Sequence, residues 1–180
     1  MPHRSRRTPG ARLARAASAV LAAALLLTGC IYHFTGGGLP SNIRTVYVDL
    51  FDNSTPLEIL RSDVQRQLQT DLPRNLGVHL APQATADAII RGKLSSYDEA
   101  VTNIDPNSTG GRVNTNQAQV RLTFDAEIYD VKNDKVIWQG SGISALGDYN
   151  RDRGETVDVG RRKAIQQLAQ KVVEGAQSQW

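Results

Sequence analysis

Val120-Arg121-Leu122-Thr123-Phe124-Asp125-Ala126-Glu127-Ile128 alternates apolar and polar residues without a break. A period of two is the pattern of a β-strand, since successive side chains leave opposite faces of the backbone. Val120, Leu122, Phe124, Ala126 and Ile128 therefore share one face, and Arg121, Thr123, Asp125 and Glu127 the other. A strand with one buried and one polar face belongs to an antiparallel sheet covered on one side only. Lys132-Asn133-Asp134 follows as a tight connection, and Lys135-Val136-Ile137-Trp138-Gln139-Gly140-Ser141-Gly142 reads as the returning strand of a hairpin.

Upstream, Thr45-Val46-Tyr47-Val48-Asp49-Leu50 alternates in the same way. Asp52-Asn53-Ser54 supplies turn and capping residues, and Pro56 suits the first turn of a helix. Leu57, Leu60, Val64, Leu68 and Leu72 recur at spacings of three and four, one face of an amphipathic helix that should end near Pro73 and Asn75-Leu76-Gly77. A short strand is expected at 78–81 and a longer one within 86–101, centred on Ala88 to Leu94. Residues 102–115 are a polar loop rich in Asn, Gly and Thr. After a charged loop from Asp148 to Glu155, the residues Ile165, Leu168, Ala169, Val172, Val173 and Ala176 mark a closing amphipathic helix. The order β-α-β-β-β-β-α, with one-sided helices and mostly one-sided strands, predicts an α+β fold: a mixed, mostly antiparallel sheet with both helices on one face.

The N-terminus has a different composition. Arg4, Arg6, Arg7, Arg12 and Arg15 precede any acidic residue, and Ala16 to Leu27 is an uncharged run of 12 residues. A stable membrane-spanning helix needs roughly 20, so the run reads as the core of an export signal. It ends in Leu27-Thr28-Gly29-Cys30, an aliphatic residue, two small residues and the only cysteine of the chain. That is a lipobox. The thiolate of Cys30 would take up a diacylglyceryl group, cleavage would follow residue 29, and an N-acyl chain would complete the anchor. Each buried methylene contributes about 0.8 kcal/mol, and stable anchoring takes more than one chain. The expected organisation is a signal peptide over 1–29, a lipidated Cys30 with a Gly-rich tether over 30–42, and a single domain over 43–180. An aspartate after the lipidated cysteine tends to retain a lipoprotein of a double-membraned cell at the inner membrane; with Ile31 there instead, delivery to the outer membrane is expected, with the body in the periplasm.

Removing the signal changes the electrostatics. The 180-residue precursor has a formal net charge of +3, but subtracting five arginines from 21 basic residues leaves 16 against 18 acidic. The remaining charge of about −2 withdraws the basic face that nucleic-acid binding requires. With its one cysteine used for lipid, the domain has no internal disulfide and must be held by packing.

Catalytic chemistry is not visible. His3, His33 and His79 are scattered with no metal-ligand spacing, so neither zinc nor any other cofactor is expected beyond the lipid on Cys30. Ser95, Ser96 and Asp98 lack a nucleophile elbow and would need His79 as base. Gly36-Gly37-Gly38 lacks the lysine and helix of a phosphate loop.

Several stretches resemble one family. Cys30-Ile-Tyr-His-Phe34, Leu39-Pro40-Ser-Asn-Ile-Arg-Thr-Val-Tyr-Val48, the Pro56-Leu57 helix opening, Asp87-Ala-Ile-Ile-Arg-Gly92, the Val120 to Val131 strand and Val136-Ile-Trp138 are similar to the lipopolysaccharide-assembly lipoprotein LptE family. The resemblance covers most of the chain after the signal. It implies a non-enzymatic outer-membrane lipoprotein with two helices on a sheet, which plugs the β-barrel protein LptD, helps it assemble, and binds lipopolysaccharide. Basic residues in the family's loops before the long central strand and before the last helix match Arg112 and Arg151 or Arg153 by position. Arginine forks suit the phosphates of lipopolysaccharide.

The stretch Ala86-Asp-Ala-Ile-Ile-Arg-Gly92 with Ile128-Tyr-Asp-Val-Lys-Asn-Asp-Lys-Val-Ile-Trp138 also resembles outer-membrane lipoproteins of the curli-secretion-channel and penicillin-binding-protein-activator types. An activator must reach across the periplasm, whereas residues 31–42 extend at most about 43 Å at ~3.6 Å per residue. The channel type adds more sequence after its central strands than the roughly 30 residues that follow here.

Overall fold

The computed structural model describes residues 38–101 and 117–178. Its elements are β1 (Thr45–Val48), β2 (Asp52–Asn53), α1 (Ile59–Leu76), β3 (His79–Leu80), β4 (Ala88–Val101), β5 (Gln117–Asp130), β6 (Lys135–Asn150) and α2 (Val157–Gln177). The sheet runs β3-β1-β4-β5-β6, with β2 beside the middle of β4. β1 pairs in parallel with β3 and β4, and the three long strands are antiparallel. This is the expected α+β architecture, with β2 added between β1 and the first helix.

The β5 alternation holds along the whole strand. Ala118, Val120, Leu122, Phe124, Ala126 and Ile128 are buried, and the residues between them are exposed or half-buried. Both helices cover this apolar face. α1 buries Leu60, Val64, Leu68 and Leu72, and α2 buries Ala164, Ile165, Leu168, Ala169, Val172, Val173 and Ala176. The stripes meet the strand residues in one continuous core. Small residues let α2 approach closely: a Cβ on Gly147 of β6 would collide with the Gly160 backbone, and one on Gly175 with the Trp138 indole.

Some element boundaries differ from the sequence reading. α1 starts at Ile59 rather than Pro56, and it ends at Leu76, as expected, with Pro73 inside its last turn. Proline lacks only its own N–H, and in the last turn that removes one bond without breaking the helix. Gly77, at φ 66°, closes α1, its N–H donating to the Pro73 carbonyl at 3.2 Å. The strand expected at 78–81 shrinks to His79–Leu80, and β4 begins at Ala88 after a 3₁₀ turn at Gln83–Thr85. Asp52–Asn53 pairs with Lys93 and Leu94. Asn53 makes the expected turn but does not cap α1: its Oδ1 accepts from Thr55 N and Oγ1 at 3.0 and 2.7 Å, while the helix N-cap is Glu58, without a side-chain bond.

The largest correction concerns β6. It does not stop at Gly142 but runs on to Asn150, so the expected charged loop contracts to the residues after 150. Gly142 has φ 63° and sits where the β5–β6 register shifts. The Asp125 carboxylate holds this bulge, accepting from Ser141 Oγ and Gly142 N at 2.7 Å each. Those two bonds, Ser141 first, keep the Asp125 carboxyl below the ordinary carboxylate range. A bulge bends a strand without ending it. The Lys132-Asn133-Asp134 connection is a tight turn as expected, with Asp130 paired to Lys135 across it.

Candidate functional site

β6 leads directly into the candidate arginines. Arg151–Arg153 form one 3₁₀ turn, capped by the Asn150 side chain, which accepts from Asp152 N at 2.8 Å. Gly154, at φ 71°, ends the turn with its N–H on the Arg151 carbonyl at 3.0 Å. Arg151 and Arg153 are both exposed on this turn. Arg151 Nη2 donates to Tyr149 Oη at 3.3 Å, and its guanidinium lies 5.7 Å from the centre of the Tyr149 ring. Stacking on a ring orients a guanidinium while leaving donors free for an anion.

Arg153 lines a shallow cavity of about 250 Å³ with Gln117, Asp148, Tyr149, Glu155 and Lys163. Lys163 reaches in from the second turn of α2, donating to the Asp148 carbonyl at 2.8 Å and pairing with Glu155 at 3.6 Å. The Asn150 N–H holds the Glu155 carboxyl below its ordinary range, helped by the charges of Lys163 and Arg153. Lys163 and Tyr149 were missed by the sequence reading. Tyr149 continues the period-two series Ala145, Gly147, Tyr149 past the glycine pair, which was the available signal. Lys163 carries no such mark.

Cys30 and Arg112 lie outside the described residues. The strand ends flanking the Arg112 segment are placed, however: Val101 pairs with Ala118, and Gln117 with Asn150, so both are at the Arg151 end of the sheet. The hydrolase set does not come together. Ser96 bonds Asp98 at 3.1 Å, but His79 is on β3 beside Thr45, and Ser96 is eight residues along β4 from Ala88, roughly 26 Å at ~3.3 Å each. Among the described residues no group of three or more His, Cys, Asp or Glu side chains is placed to hold a metal ion. No described helix is long and apolar enough to cross a membrane.

The sheet face away from the helices is a second candidate surface. Arg91 of β4 pairs with Glu127 of β5 and lies 5.2 Å from the Tyr129 ring centre. Asp98 is in register with Arg121, and Gln119 Nε2 donates to Asp148 Oδ1 at 2.7 Å. Charges of both signs interleave, giving a polar surface with a shallow groove of about 290 Å³ between Asp49, Lys93, Asp125 and Gln139.

No curated protein sequence matches the chain. Among solved structures, lipoprotein B from Nitrosomonas europaea has a TM-score of 0.52 at 13% identity, over 84% of this chain and 92% of that one. A PelC dodecamer subunit from Paraburkholderia phytofirmans has 0.48 at 19%, over 80% and 96%. A minor lipoprotein from Acinetobacter baumannii has 0.47 at 18%, over 77% and 94%. At these identities the first of them speaks for the fold alone. The LptE lipopolysaccharide-assembly family model matches residues 43–176, from the residue before Arg44 and β1 almost to the end of α2. The chain therefore belongs to the LptE, lipopolysaccharide-assembly family.

Proposed function

We propose that this chain is a non-enzymatic outer-membrane lipoprotein, anchored through Cys30, that plugs and helps assemble an LptD-type β-barrel and binds lipopolysaccharide on its way into the outer membrane. Family membership over 43–176 is the observation that carries this reading. The polar sheet face supports it physically. Interiors of large outer-membrane barrels are polar, and a face of interleaved charges at Arg91, Glu127, Asp98 and Arg121 can exchange water for polar lumen residues at little cost. For lipopolysaccharide, Arg151 and Arg153 offer two guanidiniums from one turn, and Arg112 would join them from the segment between β4 and β5. Guanidinium forks match phosphate groups.

The deciding experiment is affinity purification of the lipidated protein from native outer membrane in mild detergent, with mass spectrometry of what accompanies it. A large β-barrel of the LptD type in stoichiometric amount is expected. A homo-oligomer without a barrel would move the chain to a secretion-channel role, and a cell-wall synthase to an activator role.

A further inference from the structure

The end of the sheet where the chain enters from residue 38 is tied to the β5–β6 turn. Asn42 Nδ2 donates to Asp130 Oδ2 at 3.1 Å. Arg44 N donates to Asp87 Oδ2 at 3.0 Å, and the Asp87 carbonyl accepts from Val131 N at 2.9 Å. The entering segment and the turn are therefore one rigid corner of the molecule.

The turn has an unusual surface. Val131 and Val136 flank Lys132-Asn133-Asp134-Lys135, and the valines are 41% and 45% exposed although neighbouring β5 buries every apolar residue that faces the helices. Lys132 and Lys135 are exposed beside them. The acidic groups nearby bond to neutral donors and keep their charge, and with Asp130 buried the two lysines face one exposed carboxylate, Asp134. Asp130 is buried and accepts from Asn42 and Asn133, and Asp134 accepts from the Tyr129 hydroxyl. Two exposed apolar side chains flanking two ammonium groups form the pattern of a surface that rests at a lipid headgroup boundary. The valines enter it while the lysine heads stay with the phosphates.

We propose that the β5–β6 turn, Val131 to Val136, is a membrane-contact surface that lies on the anionic phospholipid headgroups of the leaflet holding the Cys30 lipid. This rests on the lipid-anchor reading above. Chain length argues for that occupant. Twelve residues separate Cys30 from Asn42, at most about 43 Å of chain at ~3.6 Å each, so the corner carrying Asn42 cannot leave the bilayer by more than that. The Arg151–Arg153 corner is at the other end of β6, roughly 50 Å away at ~3.3 Å per residue. A contact through the turn would leave that corner, with its arginines, at the end of the sheet farthest from these headgroups.

Fluorescence quenching tests the contact. Acylated Cys30 carries a thioether, so a cysteine introduced as Val136→Cys is the single reactive thiol of the mature protein. It would take an environment-sensitive fluorophore, with Asp152→Cys as the control, in vesicles of phosphatidylethanolamine and phosphatidylglycerol containing nitroxide-labelled lipid. The expected result is blue-shifted, quenched emission at 136 and neither at 152. Adding Lys132→Glu and Lys135→Glu should weaken the contact by about fivefold per lysine, and replacing phosphatidylglycerol with neutral lipid should do the same. Equal quenching at both positions, or none at 136, in a protein whose mass shows acylated Cys30 would overturn the contact alone. A mass without the acyl groups would overturn the anchor and the contact together.

Discussion

Asp87 shows how one carboxylate can join two strands. Its Oδ2 accepts from Thr45 Oγ1 at 2.8 Å, Thr45 N at 2.9 Å and Arg44 N at 3.0 Å, while its own N–H donates to Thr45 Oγ1 at 3.0 Å. The Thr45 hydroxyl, then the two N–H groups, hold its carboxyl below the ordinary range. A carboxyl whose folded pKa is depressed contributes stability above its unfolded value, about 3.9, and loses it as pH falls through the folded value. Thr45→Val keeps the branched strand side chain and removes the hydroxyl. It should lower unfolding free energy at pH 7 by about 1 kcal/mol, and make stability less dependent on pH below about 4. Urea titrations at pH 7 and pH 3 would show both. Glycines at this scale fall into two kinds. Gly147→Ala meets the Gly160 backbone and should cost about 3 kcal/mol, whereas Gly154→Ala meets open space and should cost only the ~1 kcal/mol of its positive φ. Thermal unfolding of the two variants separates steric exclusion from backbone strain.

At the scale of elements, each helix is held by its stripe rather than by its own propensity. α1 contains Pro73 and no acidic residue in its first turn, and its N-terminal residue Glu58 makes no side-chain capping bond. Such a helix depends on burial. Leu68, fully buried, should cost about 3 kcal/mol on replacement by alanine, whereas Thr70→Ala on the exposed side should stay within about 0.5 kcal/mol. Equal losses at the two positions, measured by denaturant midpoint, would contradict the assignment of the buried face. The stripe Leu60, Val64, Leu68, Leu72 was legible because helical spacing reports burial directly. The true extent of β6 was not. Gly140 and Gly142 read locally as a strand end, but the ladder to β5 resumes beyond the bulge, and ladder bonds come from a strand distant in sequence.

Across the whole molecule, the three long strands separate two chemically different ends. One end carries Asn42 and the β5–β6 turn, and the other the 3₁₀ turn with Arg151 and Arg153. If the arginine end receives lipopolysaccharide, reversing Arg112, Arg151 and Arg153 to glutamate together should weaken binding to immobilised lipopolysaccharide. The same variant should lose less than about 1 kcal/mol of stability, because the two described arginines are exposed. Unchanged binding by the folded variant would remove the arginines from the site.

From the sequence alone came the fold class, both helices, the core face of β5 and the hairpin turn. All of these are written in short-range periodicity, which burial imposes residue by residue. Tertiary structure decided the strand order β3-β1-β4-β5-β6, the pairing of β2 with β4, the extension of β6 to Asn150, and the meeting of Arg151 with Tyr149 and of Glu155 with Lys163. Strand order and β2 pairing join segments far apart in the chain. The arginine corner depends on where β6 ends, which the β5 ladder sets, and a local pattern holds no record of which distant backbone will supply a partner.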